Sequence, residues 1–217
     1  HLFEEMEKLK PLYFDETNLK RKKELKQKID SLIEGITEKN KLFDFEVYFS
    51  EVFHKKGGFD VVIANPPYGE EIDKITLKKI KQNLSDTNSS NSAAIFIDYG
   101  KNRLIGGRGT LTFIVPKSLL YSENWFSLVK SMLGNTHILV DVEKAFEKVK
   151  LEQVVFVYSK SIHTKKYLAR KFLDNDFIRS TNISNDLVLK YKAWICDVSP
   201  EELNIGNNLK VDCVYMK

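Results

Sequence analysis

The sequence predicts an α/β fold, a mostly parallel sheet with helices on both faces and an antiparallel pair of strands at one edge. Three observations carry this expectation. Short apolar runs rich in β-branched residues occur at 59–64, 111–115, 137–142 and 153–158 and read as strands. Segments with helical apolar spacing separate the first three runs. The last two are joined by a charged loop over 143–152 with no helix, which makes them the antiparallel pair.

The elements follow in chain order. Residues 17–39 place Leu25, Ile29, Leu32, Ile33 and Ile36 on one face of a helix, with Gly35 weakening its last turn. Residues 42–53 are aromatic and partly alternating; they read as a strand or extended segment, followed by a turn at Gly57-Gly58. Val61, Val62 and Ile63 suit a buried parallel strand. A short Lys-rich helix is expected over 73–84 and a polar, mobile loop over 85–92. A helix over about 92–105 offers Ile95, Phe96, Tyr99 and Leu104 to the core, stopped by Gly106-Gly107. The strand at 111–115 ends at Pro116. Ser122 is the expected N-cap of a helix through Leu133, closed by Gly134, with Trp125 as a core residue. Beyond 160, strand-like runs lie near 187–195 and 209–216.

At 217 residues the chain can bury a full core, and one domain plus a partial second is expected. Hydrophobic content of 42% and charged content of 29% are those of a globular protein. No apolar run approaches the ~20 residues needed to span a bilayer, so no membrane partner and a cytoplasmic location are expected. The opening His-Leu-Phe-Glu-Glu carries no signal-peptide pattern and reads as part of something longer. Net charge is +4, compatible with nucleic-acid binding without demanding it. Lys20, Arg21, Lys22, Lys23, Lys26 and Lys28 crowd together, as a solvated helix face or a phosphate contact. Cys196 and Cys213 read as reduced thiols, and the four histidines make no ligand pattern, so no metal is expected.

Function concentrates at Asn65-Pro66-Pro67-Tyr68. Neither proline can continue a central strand, since neither has a backbone N–H. Asn65 is therefore held at the carboxyl end of a strand, where open α/β sheets bind ligands. Its amide oxygen can accept a hydrogen bond. Pro67 restricts Pro66 to an extended conformation and so aims the Pro66 carbonyl. Two acceptors could then grip both hydrogens of an exocyclic amine, while Tyr68 offers a flat face for a planar ring. Such acceptors favour a pyramidal nitrogen with its lone pair free, an interaction that strengthens as positive charge develops.

This tetrapeptide resembles motif IV of S-adenosylmethionine-dependent amino-methyltransferases, chiefly those that methylate adenine N6 in DNA. Related enzymes acting on RNA bases or on a protein glutamine share it. The run Leu139-Val140-Asp141-Val142-Glu143-Lys144-Ala145-Phe146, ahead of Val154-Val155-Phe156-Val157-Tyr158, resembles motif VIII of the type IIG restriction–modification kind. Phe43-Asp44-Phe45-Glu46 through Val52-Phe53 resembles the lead-in to motif IV of the same enzymes. The resemblance covers 41–160.

It implies part of a Rossmann-like methyltransferase sheet, with Asn65, Pro66 and Tyr68 as catalytic residues and Tyr68 and Phe146 binding the substrate base from opposite faces. The cofactor implied is S-adenosylmethionine; the partners are double-stranded DNA and a missing N-terminal part of the same protein. No Gly-rich cofactor turn (motif I) occurs in residues 1–58. The sheet is therefore expected to lack its cofactor-loop strand, the cofactor-binding residues stay unassigned, and the chain alone is expected to be inactive. Residues 1–40 read as a helical lead-in, 41–160 as the C-terminal half of a catalytic domain, and 161–217 as a connector or the start of a target-recognition region. Action on RNA or a glutamine, and a non-catalytic DNA-binding fragment, are the alternatives.

Overall fold

The computed structural model describes residues 2–37, 44–68, 72–73, 78, 80, 86–87, 89–146 and 149–208. By packing, the chain divides into two compact units, His1–Phe59 and Asp60–Lys217.

The first unit is helical: α1 (Leu2–Asp15), α2 (Leu19–Ile36), α3 (Phe45–Tyr48) and α4 (Ser50–Lys56). The Asn18 side chain starts α2 by accepting from the N–H groups of Lys20 and Arg21. Ile29 and Ile33 of α2 bury against Met6 of α1 and Val47 of α3. Lys10 is buried among four acceptors: the carbonyls of Val47 and Tyr48, the Ser50 hydroxyl and the Glu51 carboxylate. All four partners are hydrogen-bond acceptors, two of them among the last carbonyls of α3, where the helix end favours positive charge.

The segment read as extended over 42–53 is helical where it is described. Asp44 caps α3, accepting from Glu46 and Val47 N–H. Phe45, Phe49 and Phe53 lie four apart and so form one helical stripe, and Phe59 meets all three edge-on, with centroids 5.2–6.4 Å away. That spacing outweighs the partial alternation. Gly57 ends α4 in the left-handed region at φ 70°, giving the expected turn.

The second unit contains β1 (Phe59–Ala64), α5 (Ser92–Tyr99), β2 (Ile105–Pro116), α6 (Phe126–Met132), β3 (Thr136–Glu143), β4 (Gln153–Ser159), β5 (Lys166–Leu173), β6 (Asp176–Ser184), α7 (Asn185–Tyr191) and α8 (Pro200–Asn208). The described strands form one six-stranded sheet in the order β1-β2-β4-β3-β5-β6, an α/β fold. β3 and β4 pair antiparallel, as their short connection requires, but they lie inside the sheet and not at its edge. β4 inserts between β2 and β3 and runs against both. β5 adds parallel to β3, and β6 adds antiparallel to β5. Residues 166–184, expected as connector or recognition region, thus supply two strands of the same sheet.

Register gathers Leu111, Phe113 and Val115 with Val154, Phe156 and Tyr158, and then Leu139 and Ala169, on one face. These residues share a core with Ala93, Ala94 and Ile97 of α5, with Leu128, Val129 and Met132 of α6, and with Val188 of α7. Trp125 joins it, as expected. The opposite face (Ile114, Val155, Val157, Ile138, Leu168) is half-buried. β1, read as a buried strand, is an edge strand: Val62 and Ala64 pack on the core, while Val61 and Ile63 are 57% and 75% exposed.

Several local expectations change. The helix from Ser92 passes through a π-helical turn (Gly100–Leu104), and Gly106-Gly107 lies inside β2. Ile95 and Leu104 are buried as expected and Tyr99 is half-buried, but Phe96 is exposed, and Ala93, Ala94 and Ile97 are buried beside them. The Ser122 side chain makes no capping bond; a 3₁₀ turn (Glu123–Trp125) leads into α6. The run near 187–195 begins as helix α7, because the Ser184 hydroxyl accepts from Asp186 N–H and starts a helical turn. The chain then returns to the core at Trp194, packed against Phe156 and Tyr167. The polar segment over 85–92 is pinned where described. The buried Asp98 carboxylate accepts from Asp86 and Thr87 N–H at 2.8 Å each and from the Asn102 amide at 2.7 Å. Lys101 reaches the Asp86 carboxylate at 2.6 Å. The helix expected over 73–84 falls largely outside the described residues, and the run at 209–216 falls wholly outside them. No helix among the described residues is long and apolar enough to cross a membrane.

Candidate functional site

The site begins where β1 runs out. Ala64 is the last strand residue, and the chain continues through Asn65-Pro66-Pro67-Tyr68 without regular structure. Pro66 is buried and Asn65 is exposed, so the tetrapeptide is anchored by its first proline and offers its amide outward. α5 holds the second proline. Asn91 caps that helix by accepting from Ala93 N–H at 3.0 Å, and the adjacent Ser92 hydroxyl donates to the Pro67 carbonyl at 2.8 Å. Ser92 was not singled out from sequence. Its signal was its place at the start of the apolar run Ala-Ala-Ile, where a hydroxyl would otherwise be buried without a partner.

The second wall comes from the loop between β3 and β4. Asp141 is fully buried at the end of β3, and its Oδ1 accepts from Glu143 N–H at 3.0 Å. Glu143 takes a left-handed backbone, φ 48°, which turns the chain out of the sheet. Ala145 and Phe146 follow, and Val149 N–H closes back on the Phe146 carbonyl at 3.1 Å.

The two walls meet. Asn65, Pro66, Pro67, Tyr68, Ala145, Phe146 and Val149 line one open cavity of about 660 Å³. All four residues singled out from sequence, Asn65, Pro66, Tyr68 and Phe146, are therefore at one place. Phe146 is 39% exposed. The Tyr68 hydroxyl donates to Asn65 Oδ1 at 2.5 Å, so the two polar groups of the tetrapeptide engage each other. Burial raises the Tyr68 phenol above its ordinary pKa, which keeps it a neutral donor.

An ionic cluster braces the base of the loop. Lys117, next after Pro116, reaches Asp141 at 2.7 Å and Glu152 at 2.8 Å. Burial alone would lower the Lys117 pKa; hydrogen bonds to the two carboxylates raise it above that of an ordinary lysine. The Lys117 hydrogen bond holds Glu152 below the usual carboxylate range. Across the sheet end, Lys171 bridges Glu143 at 2.8 Å and Asp197 at 2.7 Å. Cys196 is half-buried, and burial pushes its thiol up to about 11, so it is no nucleophile at neutral pH. Among the described residues no three His, Cys, Asp or Glu side chains gather to hold a metal ion.

Nor do the described residues ahead of Asn65 form a glycine-rich turn after a strand. Gly57 caps α4, and Gly58 (φ 136°) leads directly into β1. The described residues offer no cradle for the methionine end of S-adenosylmethionine.

The family model described as Eco57I restriction-modification methylase matches residues 4–148. A Methanocaldococcus jannaschii protein assigned by name to type II restriction enzymes and methyltransferases is 27% identical over 193 residues, covering 81% of this chain and 16% of that protein. A type II methyltransferase of Vibrio sp. (strain 343) is 25% identical over 114 residues, covering 52% of this chain and 27% of that enzyme. The chain thus spans less than a third of either relative. A solved chain of a type I restriction-modification system shares the fold, with a TM-score of 0.54 at 16% identity over 66% of this chain and 38% of that one.

Proposed function

This chain belongs to the Eco57I restriction-modification methylase family, and on that premise we propose that the cavity at the end of β1 receives an adenine flipped out of double-stranded DNA for methylation at N6. One observation carries the reading: Asn65, Pro66, Tyr68 and Phe146, from segments about eighty residues apart in sequence, line a single open cavity.

Asn65 Oδ1 and the Pro66 carbonyl accept the two hydrogens of the adenine amine. They select an amino-bearing edge and favour a pyramidal nitrogen, most strongly as that nitrogen becomes positive. Tyr68 and Phe146 hold the ring between them. Flipping a base costs a few kcal/mol, and stacking on an aromatic returns about 1–3 kcal/mol per base, so two aromatic plates roughly offset the extrusion. The Tyr68 hydroxyl covers Asn65 Oδ1 until the amine displaces it. No covalent enzyme intermediate and no strong base are required; the amine proton leaves to solvent.

S-adenosylmethionine supplies an electrophilic methyl group when bound. It would be held by a preceding part of the same polypeptide, since the described residues offer it no cradle. Val61 and Ile63 favour this reading: they expose apolar side chains on one face of the edge strand, a surface that natural proteins cover.

The test is methylation by the full-length protein with S-adenosylmethionine, offered duplex DNA, RNA and a glutamine-containing protein substrate in parallel. N6-methyladenine in the DNA is expected. Methylation confined to RNA or glutamine would leave the amine cradle in place and overturn the DNA assignment; no methylation of any substrate would leave a DNA-binding role only.

A further inference from the structure

We infer that Gln153 is a positioning residue, whose buried amide ties together the two stems of the loop over 143–153 and thereby sets Phe146 at the rim of the cavity. The inference rests on the base-receiving role proposed above.

Gln153 is the first residue of β4, opposite Pro116 of β2 and Glu143 of β3. It is fully buried. A primary amide in that position must find partners for its donors and its acceptor. It finds them on both sides of the loop. Its Oε1 accepts from Ala145 N–H at 2.8 Å, and its Nε2 donates to the Leu151 carbonyl. The β3–β4 ladder stops at the Glu143–Gln153 pair. Beyond it the side chain acts as one more rung.

The consequence falls on Phe146. Its preceding residue is fixed by Gln153, and its own carbonyl is fixed by Val149 N–H. On the far stem, the Glu152 carbonyl accepts from Lys117 N–H at 2.8 Å, and the Lys117 ammonium reaches the Glu152 carboxylate. The Glu152 stem is thus held from β2 whether or not Gln153 is present, whereas the Ala145–Phe146 stem has Gln153 as its link to the sheet. Loss of the amide therefore acts on the Phe146 side of the loop. The ring lines the cavity and is partly exposed.

The test is a double-mutant cycle in the full-length protein, reading kcat/KM for methylation of genomic DNA free of adenine methylation. Gln153→Met keeps the volume and removes both hydrogen bonds. Phe146→Ala is expected to lower kcat/KM roughly 5- to 150-fold, the loss of one stacking partner. Gln153→Met is expected to lower it at least about fivefold in the otherwise unaltered protein and less than about twofold in the Phe146→Ala background, since coupled residues depart from additivity. Equal effects in both backgrounds, or none in either, would overturn the inference while leaving the cavity reading intact. A harmless Phe146→Ala would overturn both. Should Gln153→Met not fold, hydrogen exchange of the unaltered protein decides. Ala145 N–H is expected to exchange more than about tenfold slower than in an open chain; exchange at the open-chain rate would contradict the proposed bond.

Discussion

Tyr68→Phe separates the two jobs assigned to this residue. The ring stays and the hydroxyl goes. That hydroxyl donates to Asn65 Oδ1 at 2.5 Å, on an amide that is exposed and can be rehydrated. A hydrogen bond in such a setting has a net worth of about 0.5–1 kcal/mol. An incoming amine must displace it before using Oδ1, so its removal lowers the cost of binding by up to that amount. The expected result is a kcat/KM for DNA methylation that rises roughly two- to fivefold. Tyr68→Ala removes the plate as well and should lower the same quantity roughly 5- to 150-fold. Initial rates of methyl incorporation by the full-length protein, with DNA varied at saturating cofactor, measure both. The two substitutions must move in opposite directions. A Tyr68→Phe variant as impaired as Tyr68→Ala would mean the hydroxyl acts on substrate, and a harmless Tyr68→Ala would remove the stacking role altogether.

Other parts of the structure make separate predictions. Phe156→Ala empties the centre of the sheet, between Phe113 and Trp194, and should cost about 3–5 kcal/mol in chemical denaturation. Asp98→Asn weakens three hydrogen bonds to a buried carboxylate; a loss of about 2–4 kcal/mol is expected, together with faster proteolysis next to Asp86 and Thr87. Cys196 should resist alkylation. With a thiol near 11, only about one molecule in a thousand is thiolate at pH 8. Modification tracked by peptide mass should stay far slower than that of a free cysteine and rise steeply toward pH 11. Glu152 has its pKa depressed by Lys117, so its contribution to the loop is present above the unfolded carboxylate pKa and lost as pH falls through the lower folded value. Since that group is half-exposed, the effect on stability should be small, and exchange of the Glu152 stem on acidification is the sensitive measure.

The site was more legible in the sequence than the sheet around it. Asn65-Pro66-Pro67-Tyr68 announced a strand end with two acceptors, because proline constrains the backbone whatever the tertiary context. Phe146 could be placed on a loop because charged residues surround it and two β-branched runs flank it. What failed was local reading where tertiary contacts decide. Phe45, Phe49 and Phe53 were helical because Phe59 gathers them. β5 and β6 were overlooked because Arg170, Lys171 and Arg179 interrupt their apolar pattern; Lys171 and Arg179 are bound to Asp197, which sequence distance hides. The pair β3–β4 lies inside the sheet because β5 and β6, whose apolar pattern is broken by charged residues, add beyond β3. Asp98 and Gln153 went unmarked as single polar residues in or beside apolar runs. A lone polar group in such a run must be satisfied by something distant, and here each one pins a loop.

The amine cradle itself is tested most directly by the distance from the exocyclic nitrogen of the target adenine to Asn65 Oδ1, in a structure of the full-length protein bound to duplex DNA. The expected value is about 3 Å, with the purine between the rings of Tyr68 and Phe146 and the Tyr68 hydroxyl released from Asn65. A bound duplex with every adenine still stacked, or a flipped base lodged elsewhere with this cavity vacant, would contradict the account.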